Sequence, residues 1–119
     1  MENNSPYEEK TTPPAKTQDY PFNVDLLKRE HGKIFLVEVE PETPGELPLQ
    51  FVFKMADRKI MSASAKVAMT DPLASVEVMV KNTLVWGDQS ALNDIRVFSA
   101  VSAQVERIHE PRTAKLKNL

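Results

Sequence analysis

The sequence predicts an α+β domain: an N-terminal antiparallel β-hairpin packed on a small bundle of about three α-helices, preceded by a disordered arm. Three observations lead there. Residues 33–39 and 49–55 alternate apolar side chains with period two across a Pro/Gly-rich connection. Asp57 and the pair Asp71-Pro72 each precede apolar residues at steps of three and four. Residues 1–24 are polar and carry Pro6, Pro13, Pro14 and Pro21, a composition that buries too little apolar surface to offset the entropy of ordering. The predicted organisation is therefore an arm over 1–24 and a single domain over 25–119, with the hairpin at 33–55 and the helical part at 57–119.

Taken in order, the arm contains three large anchors, Tyr7, Tyr20 and Phe22. It reads as a solubilising tail or as a docking peptide, and Tyr20-Pro21-Phe22 is able to tuck onto the domain's own surface. Residues 22–30 read as a short helix or an extended segment. Gly32 marks the turn into the first strand. Phe35, Val37 and Val39 share one face of that strand, with Ile34, Leu36 and Glu38 on the other. In the second strand Leu49, Phe51, Phe53 and Met55 share a face opposite Gln50, Val52 and Lys54. Two strands alone are marginal in water, so the Phe51–Phe53 face must pack on helices.

Asp57 caps a predicted helix over 58–69, in which Ile60, Ser64, Val67 and Ala68 recur at near-helical spacing and small residues favour close packing. Asp71-Pro72 opens a second helix with the stripe Leu73, Val76, Val80 and Leu84, and Gly87 after Trp86 reads as its C-terminal glycine. Asp88 to Asn93 is a turn. Asn93 or Asp94 caps a last helix along Ile95, Phe98, Ser102, Val105 and Ile108, which Pro111 ends.

A net charge of −2 supplies no long-range field for nucleic acid or an anionic membrane. The absence of cysteine removes disulfides, thiolate metal sites and cysteine nucleophiles. No apolar run approaches the roughly 18–20 residues that cross a bilayer, and the polar start lacks the features of a secretory signal. The chain is expected in the cytoplasm where it is made. His31 and His109 read as structural or solvated, without the ligand spacing of a metal site. Glu38, Glu40, Glu42 and Glu46 read as a solvated hairpin tip. No GxSxG elbow or phosphate-cradling glycine loop is present. The expectation is a protein that is not an enzyme, uses no cofactor or metal, and works by binding other proteins.

Apolar residues also lie off the two helical stripes. Val78, Met79 and Val85 flank the first, and Val97 and Val101 flank the second. Apolar residues on more than one helix face mean either a fully buried helix or a partner surface. With Trp86, whose ring sits beside Gly87-Asp88, these residues are the candidate protein-binding positions, and self-association can use the same patch.

The order of segments carries a resemblance. A polar arm, a hairpin running into FKMADR, a small-residue helix, the pattern DP-L-x-S-x-E-x-M-V-x-N followed by V-W-G-D, and a final helix ending in AKLKNL resemble the short tail assembly chaperones of tailed bacteriophages and prophages. The positions are Phe53, Asp57-Arg58, Asp71-Pro72, Asn82 and Gly87-Asp88, and the resemblance spans roughly residues 33–119. It implies a cytoplasmic chaperone that binds the long helical tape measure protein, keeps it soluble, helps bring tail tube subunits to it, and leaves as the tube polymerises. It implies no cofactor. The alternative role is a structural or adaptor subunit of a phage-like particle.

Overall fold

The computed structural model describes residues 19–119. The elements are α1 (Val24–His31), β1 (Ile34–Val39), β2 (Leu49–Lys54), α2 (Arg58–Ala68), α3 (Pro72–Thr83), β3 (Leu84–Trp86), a 3-10 turn (Gln89–Asn93) and α4 (Ile95–Ile108). The α+β architecture is as expected, with one helix and one strand more than the hairpin-and-three-helix arrangement. Residues 1–18 of the expected arm lie outside the described residues. Residues 22–30 run into α1, which Asn23 caps by accepting from the Leu26 N–H.

Each helix starts where a short polar side chain can take up a free backbone N–H. Asp57 accepts from Ile60, Asp71 from Ala74, and Asp94 from Arg96. Asp88 accepts from Ser90 at the start of the 3-10 turn. Pro72 occupies the first turn of α3, where no N–H is needed. At the other end of α1, Gly32 adopts φ +77° and donates its N–H to the Lys28 carbonyl, ending the helix two residues before β1.

The sheet has the order β1-β2-β3, all antiparallel. β1 pairs with β2 from Ile34↔Lys54 to Val39↔Leu49. The third strand corrects the sequence reading, in which the helix continued through Leu84 to Gly87. α3 stops at Thr83, whose buried hydroxyl donates to the Met79 carbonyl. Leu84–Trp86 then pairs with β2, so β2 becomes the central strand. This explains why Phe51, Val52 and Phe53 are all buried, at 1%, 1% and 0% exposure.

β2 advances one residue between Val52↔Trp86 and Phe53↔Leu84 while β3 advances two. Val85 is the extra residue of this bulge. Without it Leu84 and Trp86 would share a face; with it Leu84 joins the core and Trp86 turns to the opposite side. There Phe22 meets the Trp86 ring at 4.8 Å between centroids, and Tyr20 stacks on Phe22 at 5.1 Å. The segment 20–22 thus tucks onto the domain.

The main core lies between the other sheet face and the helices. It contains Val37, Phe51 and Phe53 from the sheet, Val80 from α3, Leu92 from the 3-10 turn, and Phe98, Val101 and Val105 from α4. α4 packs on β1 and α3, and α2 packs chiefly on α3. Small residues make the α2–α3 contact close. The buried Ser64 hydroxyl lies 3.0 Å from the Ser75 carbonyl and 2.8 Å from the Ser75 hydroxyl. α4 ends at Ile108, before Pro111, and residues 110–119 form no helix or strand.

Candidate protein-docking surface

The six positions singled out as protein-binding do not form one patch. Val101, expected on the outward side of the last helix, is fully buried in the core. The inward stripe of α4 is Phe98–Val101–Val105–Ile108, and Ile95, expected on it, is 63% exposed. Met79 and Val97 are half-buried and packed against the same core. Leu73, expected inside, is 60% exposed, so Met79 takes its place beside Val76 and Val80. Val78 is half-buried on α3, Val85 is the half-buried bulge residue, and Trp86 lies on the second sheet face under Phe22.

A different apolar surface is left open. α2 turns Ile60, Ser64 and Val67 toward α3, and these are buried or half-buried. Met61, Ala65, Ala68 and Met69 are exposed. Their steps of four, three and one place them along one side of the helix. Leu73, at the start of α3, adds to the exposed apolar surface at this end of the helical pair. Met61 is 46% exposed and Met69 86%. The charged residues of α2 are all cations, Arg58, Lys59 and Lys66, and all are exposed. The sequence reading passed over this stripe, whose signal is a second helical repeat, Met61, Ala65 and Ala68, interleaved with the first. Ala68, assigned to the inward repeat, belongs to the outward one.

His109 is structural. The Ala56 N–H donates to its Nε2 at 2.8 Å, and its Nδ1 lies 2.8 Å from the Val105 carbonyl. The tautomer that satisfies both carries its proton on Nδ1. The ring ties the end of α4 to the connection between β2 and α2, and so holds the base of α2 in place.

The acidic hairpin tip is more organised than a solvated loop. Glu38 accepts from the Gln50 side-chain amide at 2.8 Å. Glu42 forms an ion pair with Arg96, whose guanidinium also lies 3.5 Å from Asp94. The Arg96 N–H, the largest influence, and the nearby guanidinium charge hold the Asp94 carboxyl below its ordinary value of 3.8. The hydrogen bond and charge of Glu42 raise Arg96 above its ordinary value. The β1–β2 connection is thereby fastened to the first turn of α4.

Among the described residues no group of three or more His, Cys, Asp or Glu side chains is placed to hold a metal ion, and no helix is long and apolar enough to cross a membrane. Compared with known protein families, curated proteins and solved structures, the chain matches none.

Proposed function

We propose that the protein is a non-catalytic phage tail assembly chaperone that binds and solubilises a long helical tape measure protein and helps recruit tail tube subunits. The observation that carries the reading is the exposed stripe Met61–Ala65–Ala68–Met69 on α2. A holding protein needs apolar surface that stays in solution while unoccupied. Here a narrow stripe sits among three cations, which keep it hydrated and oppose self-stacking of like faces. Two alanines allow a partner backbone to approach closely, and the flexible methionines at either end accommodate varied side chains. Such a surface fits the apolar face of an amphipathic helix with acidic flanks. The resemblance in segment order supplies the identity of that helix as part of a tape measure protein.

The test is co-expression with the long helical protein encoded nearby in the native genome, followed by pull-down and a measurement of soluble yield. The partner's solubility should rise and the two chains should co-purify. If the partner is equally soluble alone and nothing co-purifies, the chaperone role fails and a structural or adaptor role in the particle replaces it.

A further inference from the structure

We propose that the groove between the β1–β2 connection and the first turn of α4 is a docking site for residues 112–119 of a second copy of this chain. The groove encloses about 360 Å³ and is lined by Glu40, Glu42, Glu46 and Asp94 against one cation, Arg96. Arg96 engages Glu42 and Asp94. Glu40 and Glu46 have no ion-pair partner among the described residues. Apolar side chains share the lining: Val39, Leu49 and Leu47, the last 88% exposed. The site is therefore acidic with an apolar component, and its complement is a short basic segment carrying aliphatic side chains.

The chain carries such a segment. Between Pro111 and Leu119 the charged side chains are Arg112, Lys115 and Lys117, with no carboxylate among them. Leu116 and Leu119 are both fully exposed. In the structure residues 112–119 are all exposed and none of them lines the chain's own groove. The groove lies at the start of α4 and the segment leaves its end. The 14 residues of α4 at about 1.5 Å each span roughly 21 Å. Seating Leu116 in the chain's own groove would take the whole stretch from His109, roughly 23 Å when fully extended, turned back along α4 after Pro111, whereas a neighbour's segment needs no reversal. A second copy with its α4 antiparallel to the first brings each segment to the other's groove, and the exchange is symmetric in a twofold pair.

The experiment is sedimentation analysis of the full chain across concentration, with two charge-reversed variants and their combination. Lys115→Glu with Lys117→Glu should weaken a dimer about tenfold, as should Glu40→Lys with Glu46→Lys, and the combined chain should regain association because the charges again oppose. Leu116→Ser, in a segment without regular structure, should weaken it without altering the circular dichroism. Raising salt to about 0.5 M should weaken the unmodified dimer. A chain that stays monomeric up to about 1 mM, a dimer indifferent to both charge reversals, or a combined variant that regains nothing would each overturn the proposal. The measurement uses this chain alone, so its outcome is independent of tape measure binding.

Discussion

At Gly87 the backbone runs with φ +135°, and a Cβ there would come within 2.8 Å of the Phe51 ring and 3.1 Å of the Gln50 carbonyl. Both conditions select glycine: a positive φ strains any L side chain, and the chain crosses β2 too closely to admit one. From the sequence this glycine reads as the end of a helix. The actual cause, the close approach of the chain just after β3 to the buried Phe51, depends on a contact 36 positions away in the chain, which local spacing does not reveal. Gly87→Ala should lower the unfolding free energy by about 1–3 kcal/mol in a denaturant titration. Phe51 is 1% exposed and has little room to move aside. An alanine chain as stable as the parent would show that the backbone at Gly87 does not lie against Phe51. His109 illustrates the same division. Its isolation left it structural or solvated, and only the tertiary fold, through its bond to Ala56, 53 positions distant, makes it structural.

Among the elements, the helix starts were the most legible and the end of α3 the least. A cap is a local event, an Asp side chain and an N–H two or three residues on; Asp57 and Asp71 announce it, and at α4 the structure selects Asp94 over Asn93. The end of α3 is set by competition: Leu84 continues the helical stripe, yet pairing with β2 and the Val85 bulge satisfy more of the surrounding sheet. A strand of three residues carries too little pattern to be read by period. The start of α4 also carries a pH dependence. Asp94 has a lowered pKa in the folded chain, chiefly through the Arg96 N–H, so as pH falls the unfolded chain takes up its proton first. The contribution is complete above the ordinary carboxylate value and is lost as pH falls through the lower, folded value. The raised Arg96 keeps its charge throughout that range. Asp94→Asn retains an oxygen that can accept from Arg96 but does not titrate. Its melting temperature should therefore fall less than that of the parent chain between neutral pH and about pH 3. Parallel falls in the two proteins would mean that the Asp94 carboxylate is not selectively stabilised by folding.

For the molecule as a whole, apolar residues separate into those the domain needs and those it leaves available. Composition does not make that separation: Val101 and Met61 are both apolar members of amphipathic helices, yet one is fully buried and the other 46% exposed. Period locates stripes, but which stripe turns inward depends on where the neighbouring elements lie. α4 is covered by β1 and α3, while α2 has α3 as its chief neighbour. The two classes should respond differently to substitution. Val101→Asp places a carboxylate in the core without a partner, costing on the order of 3–5 kcal/mol, a large share of the 5–15 kcal/mol that about holds a domain together. Partner binding lost in that variant would report unfolding. Met61→Glu with Ala65→Lys removes two members of the open stripe and adds a Glu-to-Lys pair four residues apart, which favours the helix by about 0.2–0.5 kcal/mol. This double variant should keep its circular dichroism and melting temperature while losing co-purification with the helical partner. A variant that is equally folded and still binds as well as the parent would remove α2 as the contact surface and direct the search to the aromatic face around Trp86. There Phe22 and Tyr20 already occupy the position that a docking side chain would take.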